Sequence, residues 1–206
     1  MEGSSHIELF EKAGFRLRIL CPAKVAPFLL LIPGGESSPE VIEILAQKLF
    51  LEDFQVALAT WLEDYEKFRN GLREFLKKRN FTEIWIWGEG RGALFGLRLA
   101  LDLPGEVRGL ILDGFQPEDR EEIAALLPGL HKPHLILHPQ LDEKLPFTEV
   151  ERLFILSPAH AKKLLLVPGM RRGEVLRREA DLYVRTIAEF INPRTGRWPR
   201  KFGCSH

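Results

Sequence analysis

Residues 84–96 read Ile-Trp-Ile-Trp-Gly-Glu-Gly-Arg-Gly-Ala-Leu-Phe-Gly, and they constrain the fold more than any other stretch. A short apolar run rich in β-branched and aromatic residues meets a glycine cluster. A leucine-rich segment then continues to Leu103 at helical spacing. The pattern predicts a buried strand, a sharp turn and a helix.

The rest of the chain repeats this alternation. Short apolar runs at 7–10 and 15–20 flank Glu11-Lys12-Ala13-Gly14 and predict a hairpin. Residues 28–32 are continuously apolar, as in a strand covered on both faces. A loop of small residues follows at 33–38, and then a helix at 39–51 with Pro39 in its first turn, Ser38 as its cap and Val41, Ile44, Leu45 and Leu49 as its apolar stripe. Further strands are expected at 54–59, 107–113, 134–138 and 163–167. Helices are expected at 63–79 (stripe Phe68, Leu72, Phe75, Leu76), 117–127, 146–156 and 173–191. Strands alternating with helices imply the α/β class, a mostly parallel sheet of about eight strands with helices on both faces. The paired Trp85 and Trp87 belong to its core.

Of the 206 residues 45% are hydrophobic and 28% charged, which suits one globular domain, 1–191, with a basic tail, 192–206. Basic and acidic residues balance at 29 each, so no charge excess directs the chain to nucleic acid or membrane. The tail is a weak exception: Arg194, Arg197, Arg200 and Lys201 interleave with Trp198 and Phe202, a composition that suits RNA, an acidic partner or a loosely packed terminus. Cys21 and Cys204 form no disulfide framework, residues 1–6 lack the pattern of a leader, and no apolar run approaches the ~18 residues of a membrane helix. A soluble, cytoplasmic protein is expected. The histidines show no metal-ligand spacing, so neither metal nor cofactor is expected.

Two active-site designs share the strand, glycine turn and helix of residues 84–96. Gly88-x-Gly90-x-Gly92 has the spacing of a nucleophile elbow, G-x-S-x-G, with Gly90 in place of serine. Gly88-x-Gly90-x-x-Ala93 has the spacing of a dinucleotide fingerprint, and Asp113 lies near the position of a ribose-binding acid. That fingerprint belongs to the first βαβ unit of its domain, whereas here at least three strands precede it.

Five segments in order resemble the α/β-hydrolase superfamily, in particular its small lidless bacterial esterases, dienelactone hydrolases and serine aminopeptidases. Leu30-Leu31-Ile32-Pro33-Gly34-Gly35 is similar to the strand and loop that supply an oxyanion-hole amide, and residues 84–96 to the elbow. Lys132-Pro133-His134-Leu135-Ile136-Leu137-His138 resembles the strand leading to the catalytic acid, which the pattern places at Asp142 in Asp142-Glu143-Lys144-Leu145-Pro146. Lys162-Lys163-Leu164-Leu165-Leu166-Val167-Pro168-Gly169 resembles the last strand, after which the catalytic histidine position falls at Arg172. The short interval 113–134 implies no large cap domain.

The resemblance implies an oxyanion hole at Gly34, Gly35 and Arg91, and Asp142 as the acid. Acyl transfer also needs a nucleophile and a base. Gly90 has no side chain, and Arg172 stays protonated at working pH. Three readings stay open. The first is a pseudo-hydrolase without serine-hydrolase activity, keeping a small-anion pocket formed by Arg91, Arg172 and the loop amides. The second is an active esterase with a non-standard set drawn from Ser37, Ser38 and His138. The third is a partner-binding scaffold. In the first two the partner is a small anion or an ester; the oligomeric state is not encoded in any motif.

Overall fold

The computed structural model describes residues 6–22, 25–60 and 62–195. The expected hairpin forms from β1 (His6–Lys12) and β2 (Phe15–Cys21), paired antiparallel across Ala13 and Gly14. Both turn residues have positive φ, the geometry that matches the right-handed twist of the two strands. β1 is the sheet edge: Phe10 is buried, while Ile7 and Leu9 face solvent.

Continuous apolar runs form the interior strands, as expected for strands covered on both faces. These are β3 (Phe28–Ile32), β4 (Gln55–Ala59), β5 (Ile84–Glu89), β6 (Val107–Asp113) and β7 (His134–Pro139), while β8 (Lys162–Val167), largely half-buried, forms the second edge. They make one eight-stranded sheet in the order β1-β2-β4-β3-β5-β6-β7-β8. The β1–β2 and β2–β4 pairs are antiparallel and the other five pairs are parallel.

Helices cover both faces. On one side α2 (Tyr65–Arg79), α3 (Arg91–Asp102), α4 (Arg120–Leu126) and α5 (Phe147–Leu156) pack on Phe15, Leu30, Ile86 and Leu110. On the other, α1 (Pro39–Leu51), α6 (Val175–Arg178) and α7 (Ala180–Ile191) pack on Leu29, Leu31, Trp85 and Trp87. The period of two therefore splits β5, with Ile84 and Ile86 toward α3 and both tryptophans toward α7. Between β6 and β7 lie only α4 and two 3₁₀ turns, with no cap domain.

Three local expectations change. In α1, Ile42, Leu45, Ala46 and Leu49 are buried, whereas Ile44 is 49% exposed and Val41 half-buried. The helix starts at Pro39 as expected, but the face that packs on the sheet is the one at 42, 45, 46 and 49, which leaves Ile44 outside it. Ser38 occupies the cap position, but its side chain makes no capping bond. The single helix expected at 173–191 is two, because Glu179 leaves helical geometry at φ −128° and ψ 37°. Arg194 stacks its guanidinium over Phe190 at 3.9 Å, while Arg197, Arg200, Lys201, Trp198, Phe202 and Cys204 fall outside the described residues. No described helix is long and apolar enough to cross a membrane.

The stripe expected on α2 is borne out, with Phe68, Leu72, Phe75 and Leu76 all buried. Gly71 shares this face because α2 sits directly on Phe15: a Cβ there would stand 2.5 Å from both Cβ and Cγ of Phe15. Gly71→Ala is expected to lower stability by roughly 1 kcal/mol or more, since overpacking by one carbon outweighs the helix-propensity gain of about 1 kcal/mol. Urea denaturation checks this; an unchanged or higher midpoint would mean that Phe15 retreats freely.

Candidate functional site

The carboxyl ends of β3, β5, β6, β7 and β8 converge on the turn between β5 and α3. Gly90, the residue between them, has φ 55° and ψ −118°, a conformation that costs a side-chain-bearing residue of order 1–3 kcal/mol. Its amide donates to the Asp113 carbonyl at 2.9 Å, tying the turn to β6. The loop after β3 presses against the same turn. A Cβ on Gly34 would lie 2.6 Å from the amide nitrogens of both Arg91 and Gly92, so only glycine permits this approach. Gly35 follows with φ 88°. The backbone of a strand–elbow–helix is thus present, with the glycine loop against it.

The side chains above the turn belong to other segments. Glu36, one residue beyond the glycine pair, reaches over Gly90: a Cβ on Gly90 would meet Glu36 Cγ at 2.9 Å and Gln116 Nε2 at 3.1 Å. Glu36 Oε1 accepts from Gln116 Nε2 at 2.5 Å and from Arg172 Nη1 at 2.8 Å. Arg172 Nη2 donates to the Phe115 carbonyl at 2.8 Å. The same nitrogen stands 2.7 Å from Asp142 Oδ2, an ion pair without the alignment of a hydrogen bond. Asp142 is held by its other oxygen, which accepts from the amides of Lys144 and Leu145 at 2.9 and 3.1 Å. Arg172 is only 13% exposed. Burial works against its charge, but Asp142 and Glu36 outweigh that and hold its pKa above the usual range.

The cavity beside this network is small, about 20 Å³, room for one water. Its walls include the carboxylates of Glu36, Glu89, Asp113 and Asp142 and the guanidinium of Arg172. Glu89 and Asp113 are register partners on adjacent parallel strands, so their side chains share one face. Ser37 donates to Glu89 through both its hydroxyl and, at 3.2 Å, its amide. Trp87 Nε1 donates to Tyr183 Oη at 2.7 Å, and that hydroxyl donates to Asp113 Oδ2 at 2.5 Å. Burial, with Glu89 alongside, pushes the Asp113 pKa up to about 8, against the pull of the Tyr183 hydrogen bond. Burial also raises Glu89, against its bonds from Ser37.

The structure places Gly34, Gly90, Asp142 and Arg172 around the same strand ends. It does not bring Arg91 and Arg172 to one hollow: the Arg91 side chain is 59% exposed and lies 3.6 Å from Asp119. Helix geometry turns it outward while its amide stays at the turn. Nor does the alternative catalytic set assemble. His138 is fully buried, with Nε2 on the Leu145 carbonyl at 2.9 Å and 3.8 Å from Asp142 Oδ2. No hydrogen bond links it to Ser37 among the described residues. Asp113 faces Tyr183 rather than an open crevice, which removes it as a ribose-binding acid. Three contributors carried no sequence signal that was used: Glu36, Glu89 and Tyr183. An acid between Gly88 and Gly90 at the end of an apolar strand was the available clue to Glu89.

The raised Asp113 pKa makes a signed prediction. The folded protein keeps this proton from about pH 4, where an unfolded carboxyl releases it, up to about pH 8. Its contribution to stability is complete below about pH 4 and declines through that window, by at most about 1.4 kcal/mol per pH unit. The histidines lowered by burial, His134 and His138, act oppositely below about pH 6.5, so the effect is read by difference. Thermal unfolding of the wild type minus Asp113→Asn is expected to fall from pH 5 to pH 8; a flat difference would mean that Asp113 is ionised in the fold.

No family model matches the chain, and no curated protein matches it. Solved structures do. A predicted CIB-like hydrolase from Thermoplasma acidophilum aligns with TM-score 0.75 at 14% identity, covering 91% of this chain and 98% of that one. Est1E from Butyrivibrio proteoclasticus gives 0.75 at 14% identity, over 93% and 99%. Dienelactone hydrolase from Anabaena variabilis gives 0.73 at 14% identity, over 93% and 98%. With the sheet order and the β5–Gly90–α3 turn described above, these likenesses establish that the chain has the α/β-hydrolase fold.

Proposed function

We propose that this α/β-hydrolase-fold protein carries out no serine hydrolysis. One observation carries the reading. Arg172, at the position where the fold's catalytic histidine is expected, bridges Asp142 and Glu36, and Glu36 in turn lies over Gly90. A triad needs a nucleophile, a base that can accept its proton, and an acid that orients the base. Here the nucleophile position has no side chain, the base position holds a permanent cation, and the acid is used to hold that cation. Glu36 fills the space a nucleophile would project into.

The same arrangement argues against a small-anion pocket. Arg172 already faces two carboxylates, and Glu89 and Asp113 line the remaining space. An anion entering it would meet more negative groups than positive ones. A hydrolase with an unusual catalytic set gains no support either, since Ser37 is committed to Glu89 and His138 to a backbone carbonyl.

The test is hydrolysis of p-nitrophenyl acetate. The wild type is expected to match a heat-denatured control. Gly90→Ser with Arg172→His is expected to stay silent, because Glu36 still occupies the serine's space. Adding Glu36→Ala is expected to raise the rate at least about tenfold, by freeing a serine beside a histidine that Asp142 can orient. Wild-type turnover that disappears in Asp142→Ala would overturn the reading.

The Glu36–Gly90 contact has its own signature. Gly90→Ala is expected to destabilise by about 1–3 kcal/mol through its positive φ, with a further loss from displacing Glu36. In a Glu36→Ala background the further loss is expected to vanish; chemical denaturation of the double-mutant cycle reads the coupling.

A further inference from the structure

At the opposite edge of the sheet, strand pairing collects three metal-ligating side chains that the catalytic comparison does not involve. The β1–β2 register sets His6 opposite Cys21, and Glu8, two residues on, points to the same face. The ligating atoms of His6, Glu8 and Cys21 all lie within 4.8 Å of one another. His6 Nε2 is already 2.8 Å from Glu8 Oε1. The geometry points to a zinc-class divalent cation site formed by His6, Glu8 and Cys21.

The donor set selects the ion class. One thiolate, one imidazole and one carboxylate suit a borderline-soft cation, whereas magnesium and calcium take oxygen ligands. In a tetrahedral zinc site the ligand atoms stand roughly 3.3–3.6 Å apart, so a shift of about 1 Å closes the present cluster. His6 is able to make that shift because its side chain is 59% exposed.

The surroundings already supply outer-sphere support. Glu8 divides its oxygens: Oε1 faces His6, while Oε2 accepts from Arg79 at the end of α2. Coordination through Oε1 leaves the Arg79 contact in place, in the manner of hydrogen-bonded carboxylate ligands elsewhere. Gln55 Nε2 lies 3.6 Å from Cys21 Sγ and orients the sulfur. Cys21 is a free, buried thiol at the rim of the core. On binding, the thiol proton leaves to solvent and the thiolate takes the metal. The spacing His-x-Glu on one strand and a cysteine on its partner carries no local metal motif, since only the antiparallel register joins them.

Cobalt(II) is the probe. Metal-free full-length protein titrated with Co²⁺ is expected to develop a thiolate-to-cobalt charge-transfer band that saturates at one equivalent and is bleached by Zn²⁺. The band is expected to persist in Cys204→Ser, to be lost in Cys21→Ser, and to require at least about tenfold more Co²⁺ in His6→Ala. The last variant alters an exposed side chain, so it remains informative if Cys21→Ser fails to fold. Absence of the band, its loss in Cys204→Ser, or its indifference to His6→Ala would each overturn the assignment.

Discussion

Close backbone approach at the end of β5 is the constraint on which the site rests. Gly34 lies against the amides that open α3, and Gly90 turns the chain in a conformation other residues adopt only under strain. A Cβ on Gly92 would stand 2.9 Å from the Ile32 carbonyl carbon, so α3 also meets β3 directly. These contacts align five strand ends on one small volume. They are properties of the backbone, and they persist whatever side chains the site carries. That is why the strand, turn and helix of the α/β-hydrolase fold form with only a glycine at the turn.

Electrostatics then decides what fills the frame. A guanidinium with little access to water is costly unless carboxylates face it, and removal of one partner from such a pair typically costs about 3–5 kcal/mol. Arg172 meets this requirement with Asp142, from the loop after β7, and Glu36, from the loop after β3. One side chain thus fastens three loops across Gly90. The neighbouring pair, Glu89 and Asp113, is accommodated differently. Ser37 binds the first, and Tyr183, itself bonded by Trp87, binds the second. Burial raises the Asp113 pKa, which works against a full negative charge on the cluster.

Much of the architecture was legible because it depends on periodicity. Continuous apolar runs marked β3, β5, β6 and β7, three- and four-residue spacing marked α2, and the order of motifs placed Gly90, Asp142 and Arg172 together. Errors arose where phase or long-range contact mattered. Ile42 rather than Ile44 faces the core, because packing on the sheet selects between two overlapping apolar faces of α1. Arg91 turned outward, because its position on α3 fixes its direction independently of its amide. Ser37 serves Glu89 instead of joining His138, a contact between residues 52 positions apart.

The sequence by itself determined the alternation of strands and helices, the glycine turn at Gly90, and the presence of Arg172 after the last strand. Local sterics and hydrophobic spacing suffice for those. Only the tertiary structure decided that Arg172 is neutralised by Glu36 and Asp142, that Asp113 is paired with Tyr183, and that His6, Glu8 and Cys21 share a face. The His6–Cys21 and Arg172–Glu36 pairings join residues 15 and 136 positions apart. Charge and hydrogen-bonding partners at such separations are chosen by sheet order and register, which no local pattern records.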